Sequence, residues 1–111
     1  MINVIVIKEK QTIKTIEATG HSGYAEEGSD IVCSAVSTLM ETLANGLTEV
    51  VKANVKVVLD ETVPHLSVTL NEEDKEKCKY AQVLMQSTFL GIKGVSQGFS
   101  KFIKIKEKQN D

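Results

Sequence analysis

The chain has 111 residues, enough for one domain, and a domain of this size hides about 65% of the surface of its unfolded chain, so its core needs neither metal nor disulfide. Hydrophobic residues make up 41% and charged residues 25%, which excludes a disordered tail, and aromatics only 5%, which leaves aliphatic side chains to fill the core. Net charge is −2 and all 13 basic residues are lysines; the lack of arginine argues against a nucleic-acid reader, although lysine still binds phosphate as a point charge.

Ile2 to Ile7 is almost wholly apolar and β-branched on both faces, the pattern of a strand covered on both sides. The run is too short for a membrane span and lacks the basic leader and small-residue cleavage site of a signal peptide, so the sequence predicts a cytoplasmic protein with reduced thiols. Lys8 to Gln11 reads as a polar turn and Thr12 to Ala18 as a second strand. A glycine-rich loop follows. From Ile31 to Lys52 the period changes: Val32, Val36, Leu39, Leu43, Leu47 and Val50 mark one face of a long helix, with Ser29 or Asp30 as its cap. Val55 to Leu59 and His65 to Leu70 read as strands around a "DETVP" turn. An acidic first turn after Asn71 opens a second helix running to about Ile92, with Cys78, Ala81, Met85, Thr88 and Ile92 as its least polar stripe and Gly94 as its end cap. "GVSQG" reads as a loop and Phe99 to Ile105 as a last strand.

The order ββαββαβ predicts a single α+β domain over residues 1–111, a two-layer sandwich in which two helices cover one face of a mixed, mostly antiparallel sheet. Two helices on one face leave the other side of Ile2–Ile7 uncovered, and a second copy of the chain is the expected cover, giving a homodimer.

The chemistry concentrates in "GHSGYAEEGSDIVCSAVS", residues 20–37. If Asp30 caps the helix, Cys33 falls in its first turn, where free backbone N–H groups and the helix dipole favour a thiolate and could receive an oxyanion. A reactive cysteine needs a base within reach, and His21 lies across the loop. Gly20 and Gly23 let the chain turn tightly around that histidine, and Gly28 releases it into the helix. The plain alternative is a cysteine that fills the core beside a solvated loop histidine. Asp30 has two candidate tasks, capping the helix or orienting an imidazolium. Ser37 lies one turn beyond Cys33, where it either touches the site or bonds back to the helix, with Ser34 and Thr38 beside it. Tyr24, Glu26 and Glu27 read as exposed positions of a mobile lid.

Cys78, among lysines on the second helix, is assigned to packing, and His65 to the strand surface. Their spacing with Cys33 and His21 does not suit structural zinc, so no metal and no cofactor is expected. Lys101, Lys104, Lys106 and Lys108 form a basic last strand and tail, read as a solvated edge that resists strand pairing.

Gly20-His21, the glycine loop, and the run Gly28-Ser29-Asp30-Ile31-Val32-Cys33-Ser34-Ala35-Val36-Ser37 resemble the signature of the bacterial ribosomal-processing cysteine protease family, Prp. The resemblance extends over the whole chain. It implies a cysteine endopeptidase that removes the N-terminal extension of the precursor of the twenty-seventh large-subunit ribosomal protein, a step that ribosome assembly needs. His21 and Cys33 match the family's catalytic pair, and Asp30 and Ser37 match further motif positions. Gly20, Gly23, Tyr24 and Gly28 fall in the substrate loop. The resemblance also implies a homodimer, a transient contact with the ribosome, and an aliphatic or aromatic anchor before the scissile bond, without membrane or direct nucleic-acid binding. "GVSQGFSKF" is less aromatic than the family pattern and bears on the outer wall of the cleft. The rival functions are a non-enzymatic ribosome-associated or RNA-binding module using the lysine edge, and a redox or metal-responsive thiol protein using Cys33 and Cys78.

Overall fold

The computed structural model describes residues 1–26, 30–60, 62 and 64–110. Among these, β1 (Ile2–Glu9) and β2 (Thr12–Thr19) form a hairpin; α1 (Ile31–Asn45) runs into a π-helical turn (Gly46–Val51). β3 (Val55–Asp60) and β4 (His65–Leu70) form a second antiparallel pair, followed by α2 (Lys75–Gly98) and β5 (Ile103–Gln109). The sheet order is β3-β4-β2-β1-β5, antiparallel except for the parallel pairing of β1 with β5. No helix among the described residues is long and apolar enough to cross a membrane.

Alternation along β1 sends Ile2, Val4 and Val6 into the core, where they meet Val32, Val36, Met40 and Leu43 of α1 and Ala81, Met85, Phe89 and Ile92 of α2. The other face of β1 carries Ile5 and Ile7, both half-buried. Ile5 sits in register between Lys106 and Glu17, and Ile7 between Lys108 and Thr15, so that face is mixed rather than apolar throughout. The hairpin is bulged after Ile7: Ile7 pairs with Thr15 but Lys8 with Ile13, leaving Lys14 over. Gln82 on α2 takes up the backbone polarity of this irregular stretch. Its Oε1 accepts the Ile13 N–H at 2.9 Å and its Nε2 donates to the Ile13 carbonyl at 2.8 Å.

Several element ends differ from the sequence reading, each for a local reason. The first helix does reach Val51, but its last six residues widen into a π turn, and Val50, expected on the core stripe, is 80% exposed. A wider turn rotates the chain less per residue, which carries Val50 off the buried face while Leu47 stays on it. Met40 is buried where Leu39 was expected to lead. The left-handed Lys52 (φ 59°) closes the segment, with its N–H on the Leu47 carbonyl.

The second helix starts at Lys75 behind its cap Asp74, so the acidic run from Asn71 precedes it; Glu72 there accepts the amides of Asn54, Glu73 and Asp74. The helix passes through Gly94 to Gly98, because Val95 and Phe99 extend its core contacts and Phe99 N–H closes on the Val95 carbonyl. Phe89, absent from the expected stripe, is buried there, with the Lys93 ammonium 4.4 Å from its ring centre. The last strand is consequently displaced: Phe99 to Phe102 makes a turn, closed by Phe102 N–H on the Phe99 carbonyl, and the strand begins at Ile103 and takes in Lys106 and Lys108. β1 likewise continues through Lys8 to Glu9, where Lys8 pairs with Glu107 at 2.9 Å.

This topology gathers chemistry at one end of the sheet. Asn3 pairs with Thr19, Thr19 with His65, and His65 with Asp60, so the start of β1, the end of β2, the start of β4 and the end of β3 share one row. The N-terminus of α1 lies over that end.

Candidate active site

Gly20 turns the chain out of β2 with φ +89°, its N–H held by the Pro64 carbonyl at 2.9 Å. Gly23 also adopts a positive φ, +75°. Gly28, Ser29 and Glu27, named above as loop or cap positions, lie outside the described residues.

Asp30 is the cap of α1. Its Oδ1 accepts the amides of Val32 and Cys33, both at 3.0 Å, and its Oδ2 accepts the Ser22 hydroxyl. Burial pushes this carboxyl up, but hydrogen bonds from Ser22, from the Cys33 and Ala25 amides and from the Cys33 side chain outweigh it and bring the pKa down to about 2. Asp30 is therefore ionised throughout the neutral range. Of its two candidate tasks the geometry supplies the cap; no hydrogen bond or ion pair joins it to His21 among the described residues.

The cap also changes the expectation for the helix terminus. The amides of Val32 and Cys33 are taken by Asp30, and that of Ser34 by the Asp30 carbonyl at 3.0 Å, so these three are not free to receive an oxyanion. The donor that faces the Cys33 sulfur comes from the loop: Ser22 N–H points at Sγ at 3.3 Å. Cys33 is a free, half-buried thiol.

His21 and Cys33 line the same open cleft of about 620 Å³, together with Ser37. Its apolar floor comes from Ile2, Ala18, Val36, Met40, Leu59 and Leu66, and its polar rim from Glu41, Asp60, Thr62 and His65. A second hollow of about 390 Å³ opens on the other side of the pair and again holds His21, Cys33 and Ser37, with Gly23, Ala25, Asp30 and Ser34. His21 is exposed and has no hydrogen-bond partner among the described residues, so its ring is free to turn toward the sulfur. Such an arrangement suits proton transfer between imidazole and thiol beside an open cleft.

Three positions differ from their sequence reading. Tyr24, read as part of a mobile lid, is exposed but packs edge-on against Phe99 at 5.5 Å and Phe102 at 5.2 Å. The "GVSQGFSKF" stretch thus does build an aromatic wall beside the loop. His65 is half-buried, bonded through Nε2 to Glu17 at 3.0 Å, and lines the cleft. Ser22, which the sequence did not single out, is 3% exposed and central to the hydrogen bonding. Its hydroxyl role has no signature in spacing, since it exists only once the loop folds onto the helix cap. Cys78 is half-buried on α2, where its thiol donates to the Glu72 carbonyl at 3.1 Å. Among the described residues no three His, Cys, Asp or Glu side chains cluster as a metal site would require.

A family profile described as cysteine protease Prp matches residues 1–104. The chain belongs to the Prp cysteine protease family. It is therefore a cysteine protease, with the family's two-helix, five-strand mixed-sheet fold. Among solved structures, SMU.848 from Streptococcus mutans is 31% identical, with 99% of this chain and 96% of that one covered and a TM-score of 0.86. The essential ribosomal processing protease Prp from S. aureus, in complex with a covalently linked product peptide, is 18% identical over 97% of this chain and 100% of that one, at a TM-score of 0.87. The same S. aureus protease with a substrate peptide is 17% identical over the same shares, at a TM-score of 0.82. At those identities the S. aureus structures establish the shared fold. Comparison with the curated proteins found no significant match.

Proposed function

We propose that this protease removes the N-terminal extension of the precursor of the twenty-seventh large-subunit ribosomal protein, with Cys33 as nucleophile and His21 as general base and acid. The carrying observation is that both side chains converge on one cleft at the N-terminus of α1, in a chain of the Prp family. The peptide complexes of the S. aureus relative support an extended peptide as substrate.

In this reading His21 takes the Cys33 proton and the thiolate attacks the scissile carbonyl carbon, forming a tetrahedral intermediate. The carbonyl re-forms as the C–N bond breaks, and His21 returns the proton to the leaving amine. Water then hydrolyses the thioester, releasing the acid product and the thiol. The apolar side chains of the cleft accommodate an aliphatic or aromatic anchor before the scissile bond, and Ser37 lines the same cleft as Cys33. The loop around Gly20, Gly23 and Tyr24 opens to admit the peptide. The protease works as a cytoplasmic homodimer with a transient ribosome contact and without a cofactor.

Incubating the full chain with the extended precursor and reading intact mass tests this. Wild type shortens the precursor at one bond and Cys33→Ala leaves it whole; His21→Ala slows cleavage by about a hundred- to ten-thousandfold, the range of general acid–base catalysis. Cleavage by Cys33→Ala would remove Cys33 from the role.

A further inference from the structure

Ser22 sits inside the site, yet no step of the proposed reaction uses its hydroxyl. The residue is 3% exposed, so every polar atom it carries needs a protein partner. Its Oγ donates to Asp30 Oδ2 and accepts the Tyr24 N–H at 3.0 Å. Its own N–H points at Cys33 Sγ. The carboxylate it binds holds the backbone of the same cysteine through Oδ1. A closed circuit results: sulfur to Ser22 amide, Ser22 hydroxyl to Asp30, Asp30 to the Cys33 amide. One half belongs to the loop that carries His21 and the other to the helix that carries Cys33. The link between the halves is a hydroxyl on an ionised carboxylate, a charge-assisted bond like that from the Cys33 amide.

We propose that Ser22 is a positioning residue of the protease: its hydroxyl clasps the loop to the Asp30 cap and so holds the Ser22 amide against the Cys33 sulfur. This rests on the reading of Cys33 as nucleophile. An amide held on Sγ orients the sulfur and stabilises negative charge that develops on it during reaction, because an N–H bond to a charged acceptor is stronger than to a neutral one; it acts against the ionised Asp30 carboxylate, which also takes a hydrogen bond from the Cys33 side chain. The amide belongs to the peptide that joins His21 to Ser22, so the clasp also anchors the stem from which the imidazole swings. Deleting the hydroxyl removes the partner of the part-buried Tyr24 N–H and one partner of the buried Asp30 carboxylate, and the loop drifts from the helix.

The test compares wild type with Ser22→Ala, Ser22→Gly and Ser22→Thr in the full chain. Two readouts are used: the rate at which iodoacetamide alkylates Cys33 at pH 7, followed by peptide mass, and kcat and KM for precursor cleavage. Ser22→Ala and Ser22→Gly keep the amide and lose the hydroxyl; each alkylates Cys33 about tenfold more slowly, the scale of one hydrogen bond to a charged atom, and loses kcat with KM little changed. Ser22→Thr restores the hydroxyl and recovers most of both losses. A serine that serves only to hold the loop folded gives the opposite sign: its removal exposes the sulfur and speeds alkylation. Alkylation of Ser22→Ala or Ser22→Gly at or above the wild-type rate overturns the clasp. The two readings fail separately. If wild-type protein leaves the precursor uncut while the alkylation ratio holds, the assigned substrate is wrong and the clasp on the sulfur stands.

Discussion

The turn at Gly20 leaves no room for any other residue. A Cβ built there would lie 2.6 Å from the Met1 carbonyl oxygen, on a backbone with φ +89° that L side chains rarely adopt. Gly20→Ala is expected to lower unfolding stability by about 1–3 kcal/mol, measured by urea denaturation, and to displace His21 with it. An unchanged midpoint would show that the neighbouring strand yields freely. The site was partly legible at this scale. Glycines flanking a histidine, and a cysteine three residues past a capping aspartate, are local patterns, and local patterns survive in sequence. The two uses of Asp30 separated only when its oxygens could be traced to Val32, Cys33 and Ser22. Ser22 itself was hidden, because its partners come from across a loop and a serine beside a histidine has no period to betray it.

Among the elements, the contact between Gln82 and the bulged hairpin is the most specific. A side-chain amide there donates to and accepts from the Ile13 backbone, beyond the last β2–β4 pair at Thr15 and Thr69. Gln82→Ala leaves both groups of Ile13 without their partner and should cost about 1–3 kcal/mol, whereas Gln86→Ala, which loses an exposed bond to the Gln11 carbonyl at 3.4 Å and one to Gln82 Oε1 at 3.1 Å but leaves the Ile13 bonds in place, should cost less. Equal effects in thermal melts would show that water replaces both equally well. Element type and order followed from periodicity, but ends did not. Gly94 looks like a terminator on propensity alone; Val95 and Phe99 beyond it have core contacts that outweigh one glycine. Val50 fits the stripe by counting in an α-helical period and is lost from it because the turn there is π-helical.

For the molecule as a whole, three carboxyls among the described residues, at separate junctions, are held below their usual range. Asp30 stands at the α1 cap. Glu72 joins β3 to the start of α2, lowered by the amides of Asn54 and Asp74 against a smaller opposing effect of burial, with Glu73 and Lys77 assisting. Glu107 on β5 is lowered first by its bond from Lys8, against burial, with the charges of Lys8 and Lys93 adding to it. A carboxyl lowered on folding adds stability that is complete above its unfolded pKa, about 4, and is lost as pH falls through the folded value. Stability should therefore decline below about pH 4, with the Asp30 share persisting toward pH 2; Asp30→Asn should flatten the lower part of the curve of melting temperature against pH. A curve unchanged by that substitution would contradict the Asp30 assignment. Strand order was the least legible property. β5 joins β1 in parallel after a 24-residue helix, a long-range pairing that no short-range pattern encodes.

The edge-on seat of Tyr24 against two phenylalanines has an optical corollary. The chain contains no tryptophan and two tyrosines, and the other, Tyr80, stands on the exposed side of α2. Near-ultraviolet dichroism of the unlabelled protein is thus weighted toward a single ring three residues beyond His21, and any ligand that parts that ring from the phenylalanines announces itself by unstacking the chromophore.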